Sequence, residues 1–242
     1  MSAIMMILMV TGVLSTGMGA VLDWIFAGAG KIEIHDGTFS QEPAAALIFN
    51  SPARVAANNG DGTWTIVGKD EIAFSITEGG KTQRFTDVGT AIKVAKKDGP
   101  TLIVFEKDFT GEIAISANAL LKNLRFNTNG KTFDGVLTSD GYLMATDENG
   151  YLYLVKTERA VVAFADDPKT RFEKVATAFA VAKNAHTLVA LRDIGEELTA
   201  GAAVTNTLDL AGFGWTNGFI KAGAAAELTV TNGTIGVLVQ EK

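Results

Sequence analysis

The residues of this chain best suited to chemistry are carboxylates in pairs: Asp108 with Glu112, Asp147 with Glu148, Asp166 with Asp167, and Glu196 with Glu197. Two carboxylates whose pKa values are held apart can do acid/base chemistry, as in polysaccharide-cleaving enzymes. All four pairs fall at expected turns, where acids also serve solubility and local capping, and they are read as turn residues. The two histidines, His35 and His186, each lack a second histidine at ligand spacing. The loop at residues 58–62, Asn-Asn-Gly-Asp-Gly, is rich in oxygen, but a calcium site needs about six or seven oxygen ligands and a hairpin turn is the simpler reading. Cysteine is absent, which excludes a thiolate nucleophile, a disulfide and a thiolate metal site. A Gly-x-Ser-x-Gly elbow and phosphate-binding glycine patterns are absent too. Trp24, Trp64, Trp215, Tyr142, Tyr151 and Tyr153 have the faces to stack sugars, yet Trp64 and Trp215 lie in alternating segments where packing is the simpler job. The expectation is a non-enzymatic protein with no cofactor and no metal.

The elements that carry these residues are duplicated. Residues 84–96, Arg-Phe-Thr-Asp-Val-Gly-Thr-Ala-Ile-Lys-Val-Ala-Lys, return 87 positions later (84 to 171) as Arg-Phe-Glu-Lys-Val-Ala-Thr-Ala-Phe-Ala-Val-Ala-Lys. A period this long means that one supersecondary unit was copied and stacked. Val88, Ala91, Ile92 and Ala95 recur at helical spacing, as do Val175, Ala178, Phe179 and Ala182, so each segment predicts a helix. Thr86 is the expected cap of the first, and Asp98, Gly99 and Pro100 end it. Residues 101–105 and 187–191 follow as apolar strands without alternation, expected to be buried on both faces. The copies meet again at an offset of 82 (130 to 212), where alternating strands turn at Gly130 and Gly212.

Turn chemistry places two hairpins ahead of the copies, around residues 58–62 and 148–150, with Asn-Gly and Asp-Gly supplying positive φ. A third match frames the whole. Residues 31–39, Lys-Ile-Glu-Ile-His-Asp-Gly-Thr-Phe, correspond position by position to residues 227–235, Glu-Leu-Thr-Val-Thr-Asn-Gly-Thr-Ile.

Composition narrows the setting. Of 242 residues, 47% are hydrophobic and 20% charged, with mean hydropathy +0.21, which is apolar enough to suggest further burial against a partner or a membrane. The net charge of −6 and the dispersed basic residues argue against a nucleic-acid role. Residues 1–30 carry a single charge, Asp23, and five of the six methionines. A secretory signal lacks its basic n-region here, since the first basic residue is Lys31. A membrane helix is interrupted by Gly12, Gly17, Gly19 and Asp23. The favoured reading is an apolar arm buried in a neighbouring subunit, with membrane contact through residues 1–29 as the competing one.

The succession of residues 84–91 and 171–178, residues 187–193, residues 207–212, residues 228–235 and residues 59–65 resembles the modules of large bacterial surface-repeat proteins with right-handed β-helix character. The resemblance covers roughly residues 30–239. It implies a non-catalytic stalk or adhesin-like role, outside the cell or on its surface. The expected fold is mainly β: a right-handed β-solenoid stack of two duplicated modules, each with one short helix, plus the N-terminal arm. The expected divisions are 1–29 for the arm, 30–69 for the first rung and hairpin, 70–156 for module one, and 157–242 for module two. The expected partners are copies of the same chain, or else a capsid or cell-surface scaffold, so that a virion decoration or fibre protein and a carbohydrate-binding or carbohydrate-active β-helix are the alternatives. In a head-to-tail assembly the last rung, with Leu228, Val230 and Ile235, would stack on Ile32, Ile34 and Phe39 of the next molecule. The arm would add Ile4, Ile7, Leu8, Val10, Val13 and Leu14, and further along Val21, Leu22, Trp24, Ile25 and Phe26.

Overall fold

The computed structural model describes residues 13–14, 33–96, 98–116, 121, 123–182, 186–200, 205–222 and 227–240. The fold is mainly β and contains a β-solenoid of about five turns. Contacts divide the chain into two compact units, the first holding residues 1–96, 101–109 and 129–132, the second 97–100, 110–128 and 133–242.

In the first unit, β1 (Val13–Leu14) lies parallel to β2 (Thr38–Phe39), and β2 is antiparallel to β4 (Trp64–Gly68), which forms a hairpin with β3 (Arg54–Asn58). Ile34, Phe39, Ile48, Ala56 and Ile66 form the core of this sheet. Next, β5 (Phe74–Glu78) pairs with β6 (Lys81–Phe85) on one side and β7 (Thr101–Phe105) on the other, with helix α1 (Val88–Val94) between β6 and β7. Gly79 and Gly80, at φ +55° and +78°, make the two-residue turn between β5 and β6, a conformation that glycine adopts without the Cβ penalty.

The second unit continues with β8 (Phe109–Ala114), whose first residue belongs to unit one, then β9 (Leu124–Asn127), β10 (Phe133–Thr138), β11 (Tyr142–Thr146) and β12 (Leu152–Lys156). The duplicated unit then recurs as β13 (Val162–Phe164), β14 (Arg171–Phe172), helix α2 (Val175–Ala182) and β15 (Thr187–Ala190). The chain ends in β16 (Leu198–Ala200), β17 (Thr205–Asp209), β18 (Gly214–Ala222), β19 (Glu227–Thr231) and β20 (Thr234–Gln240).

The two copies repeat their backbone bonds. Ala73 N–H donates to Phe85 O at 2.9 Å and Val161 N–H to Phe172 O at 2.8 Å; Glu106 N–H donates to Ala73 O at 2.9 Å and Leu191 N–H to Val161 O at 2.8 Å. These bonds correct the strand alignment by one residue. Phe105 faces Phe74 and Ala190 faces Val162, so Phe105 matches Ala190 and not Leu191. A one-residue slip exchanges the faces of a strand, and burial agrees with the corrected register: Ile103, Phe105, Leu188 and Ala190 are buried, whereas Leu191 is exposed. The expectation of strands buried on both faces fails as well, because buried and half-buried residues alternate along β7. Core volume is redistributed between copies. Phe74 and Phe105 pack edge-to-face at 5.1 Å in the first; Val162 and Ala190 replace them in the second, where Phe164 packs on Phe172 at 5.1 Å.

Both helices form where the spacing predicts. In α2, Val175, Ala178, Phe179 and Ala182 are all buried. In α1, Ala91 and Ala95 are buried and Val88 and Ile92 half-buried. The cap is one residue later than expected: Asp87, not Thr86, accepts from Thr90 N–H at 2.8 Å and from the Thr90 hydroxyl at 2.7 Å. The second copy has Lys174 there, which cannot accept, and the Val175 N–H donates instead to Glu196 from a distant loop.

The hairpins β3–β4 and β11–β12 stand 88 residues apart (54 to 142), and each is followed by a 3₁₀ turn, Lys69–Glu71 and Thr157–Arg159. Their connections are longer than two-residue turns. Asn59 N–H donates to Thr63 O and Asp147 N–H to Tyr151 O, closing three-residue loops in which Gly60, Gly62 and Gly150 have positive φ.

Candidate functional site

The end of the second unit is a stack of parallel rungs. Strands β15, β17 and β19 form one ladder, with Thr187 facing Thr207, and Thr205 facing Glu227. Strands β16, β18 and β20 form another, with Leu198 facing Ile220, and Gly214 facing Thr234. Each rung corner between β17 and β18 or between β19 and β20 is a left-handed step, at Ala211 and Gly212 in one and at Asn232 in the next. Gly233 is enforced by packing: a Cβ there would come within 2.4 Å of Leu210 Cβ and of Phe213 O. Asn232 Nδ2 donates across the rungs to Asp209 Oδ1 at 3.0 Å, and Asp209 Oδ1 also accepts from Ala211 N–H at 2.8 Å.

Trp215 anchors this corner. It is completely buried, and its indole N–H donates to Glu196 O at 2.8 Å. Next to it an aspartate ties strand to rung: Gly214 N–H donates to Asp193 Oδ1 at 2.8 Å while Ile194 N–H donates to Gly214 O at 2.9 Å. The first copy has the same clamp, with Thr132 N–H to Asp108 Oδ1 at 2.7 Å and Phe109 N–H to Thr132 O at 2.9 Å. Sequence reading missed this pair, although a basic residue followed by Asp recurs at Lys107-Asp108 and Arg192-Asp193.

Strands β19 and β20 are the last members of their ladders, and among the described residues no strand pairs with their outer edges. Leu228, Val230 and Ile235 are partly buried against the core formed by Phe172, Leu208 and Trp215. At the other end of the chain, Ile34 and Phe39 are buried in their own core, and both edges of β2 are taken, by β1 on one side and β4 on the other. The edge left unpaired there among the described residues is that of β1, at Val13 and Leu14. Ile4, Ile7, Leu8, Val10, Val21, Leu22, Trp24, Ile25, Phe26 and Ile32 lie outside the described residues.

The other candidates are occupied locally. Glu112 accepts from the Thr138 hydroxyl, Asp147 accepts from Asn149 and Tyr151 N–H and pairs with Arg125 at 3.4 Å, and Asp167 accepts from Lys169 N–H and the Thr170 hydroxyl. Burial holds the Glu196 carboxyl above its usual range, opposed by the Val175 N–H and the charge of Lys174. Tyr153 is buried and donates to Glu173 Oε2 at 2.9 Å; burial first, then that carboxylate, raise its pKa above the usual phenol value. Asp61 is held below the usual carboxylate range by the Thr63 hydroxyl and backbone N–H, which close the hairpin loop. His35 stacks on Phe49 at 4.0 Å, and His186 stacks on Phe164 at 4.9 Å with Asp166 at 3.6 Å. Among the described residues no three His, Asp or Glu side chains are grouped as a metal site requires, and no helix is long and apolar enough to cross a membrane. What the geometry defines is a duplicated β-solenoid whose last rung, among the described residues, has no strand on its outer edges. No protein-family model, curated protein or solved structure matches this chain.

Proposed function

We propose that this chain is a non-enzymatic structural protein that assembles head to tail into an extracellular fibre or surface array. The observation that carries this reading is the last rung, where β19 and β20 extend two parallel ladders and have no further strand on their outer edges among the described residues. A parallel edge of this kind is a template for another strand, and a contact between unlike ends repeats without closing into a dimer. The partner edge is that of β1, because β2 already has neighbours on both sides. The ladder ending in β19 of one copy would then continue through β1 of the next, with the apolar arm adding burial at about 25 cal/mol per Å².

Sedimentation velocity and negative-stain microscopy test this reading. The full chain is expected to form elongated species that grow with concentration. Deletion of residues 1–26, and separately Thr229→Lys at an exposed position of β19, are expected to return it to monomer. A full chain that stays monomeric at every concentration, or a truncated chain whose fibres keep their stability, overturns it.

A further inference from the structure

The two copies differ at one surface position with consequences for binding. Glu106 and Leu191 occupy the same place in the ladder, each donating its backbone N–H to the matched residue opposite, Ala73 or Val161. In the first copy the Glu106 carboxylate accepts from the buried Ser75 hydroxyl at 2.6 Å. In the second copy both polar groups are gone: Ala163 stands for Ser75, and Leu191 stands for Glu106 yet remains 38% exposed. The basic neighbours are kept. Arg84 is matched by Arg171, one residue before Phe85 or Phe172, and Lys107 is matched by Arg192. The second copy has therefore lost the acid of the first and gained a guanidinium in place of an ammonium.

Arg171, Arg192 and Leu191 line a cleft of about 390 Å³ together with Leu143, Ala160 and Glu158. Glu158 is the acid of this cleft, and Lys156 lies 3.6 Å from it. Among the described residues neither Arg171 nor Arg192 forms an ion pair; Arg171 Nη1 donates to Lys169 O at 3.4 Å. A guanidinium fork matches the oxygens of a carboxylate or phosphate, and a cleft of this size lies in the range of small-molecule sites. We propose that the cleft binds a small organic anion, its carboxylate or phosphate held by Arg171 and Arg192 and its apolar body laid against Leu143, Ala160 and Leu191.

The test is a titration of the full chain with hexanoate, hexyl phosphate and inorganic phosphate, following the arginine side-chain N–H resonances. Saturable shifts of Arg171 and Arg192 are expected for hexanoate or hexyl phosphate, and whichever of the two binds identifies the oxyanion. Inorganic phosphate is expected to bind at least about tenfold more weakly. Leu191→Glu, which restores the acid of the first copy, and Arg192→Gln, on the exposed rim, are each expected to weaken binding by about tenfold or more at unchanged circular dichroism. Lys107→Gln, at the matched place in the first copy, is expected to change nothing. Shifts that never saturate, inorganic phosphate binding as well as its hexyl ester, or unchanged affinity in Arg192→Gln overturn the proposal.

Discussion

The first and second copies of the duplicated unit share a ladder and end differently. At an offset of 82 residues Phe126 of β9 corresponds to Leu208 of β17, and both are fully buried. Phe126 is faced across its edge by Leu152 of an antiparallel hairpin, whereas Leu208 is faced by Val230 of a parallel rung. The hairpin is a recurrent cover, since Trp64 of β4 faces Phe39 in the same antiparallel sense, 88 positions earlier (64 to 152). The first copy is thus closed by a hairpin, and the second goes on with another rung. A hairpin and a rung are interchangeable covers for one buried edge, because each supplies the backbone partners that the edge strand lacks.

The largest effect is expected where the copies differ most in burial. Trp215 is fully buried and its counterpart Phe133 only half-buried. Trp215→Ala should cost about 3–5 kcal/mol and Phe133→Ala clearly less, both read from denaturant midpoints; equal losses would break the comparison. Next comes the rung that the first copy lacks. Gly233→Ala forces a Cβ into Leu210 and Phe213, and should cost about 1–3 kcal/mol, with hydrogen-exchange protection lost in β19 and β20 first.

A smaller effect separates the two helix starts. Asp87→Ala should cost about 1 kcal/mol, because it removes a local cap. Glu196 does the corresponding job in the second copy as a partly desolvated acid with a raised pKa, so the sign of its pH dependence is unusual for a carboxylate. The folded state binds its proton more tightly than the unfolded chain, for which the value is about 4.3. Its contribution is therefore complete below that unfolded value and is lost as pH rises through the folded one. Wild type should gain stability relative to Glu196→Gln as pH falls from 7 towards 4.5, measured as urea midpoints; a difference that does not vary with pH would show the carboxyl to be unperturbed. The smallest effect belongs to the exposed pair of Lys96 with Glu78 at 2.9 Å. Lys96→Met should change stability by less than about 1 kcal/mol and lose even that in high salt.

How much of this was legible in the sequence follows from the range of the interactions. The buried face of α2 could be read residue by residue, because helical periodicity is local and Val175, Ala178, Phe179 and Ala182 declare it. The corners at Gly130 and Gly212 were legible for the same reason, since positive φ is a property of one residue and its neighbour. Register was not. The Thr-Leu pairs at 101–102 and 187–188 invite an alignment that the bonds to Ala73 and Val161 displace by one, and those bonds come from residues about 30 positions away. Likewise the sequence match of residues 31–39 with 227–235 is real, but it could not show that β1 and β4 already hold both edges of β2. The helix start at Val175 was hidden because its cap, Glu196, comes from beyond the helix and the following strand.

The stacked rungs also have a mechanical consequence. Successive strands of the ladders are 18 to 22 residues apart, as Phe219 and Val237, Thr187 and Thr207, or Thr205 and Glu227 show. Inter-rung hydrogen bonds point from strand to strand, so tension applied at the last rung opens them a few at a time, like a zipper, and each freed rung releases roughly 70 Å of extended chain. Force would be spent in instalments of similar size, and the molecule would lengthen in steps before the helix-bearing part of the second copy, locked by Trp215 and Asp193, was reached.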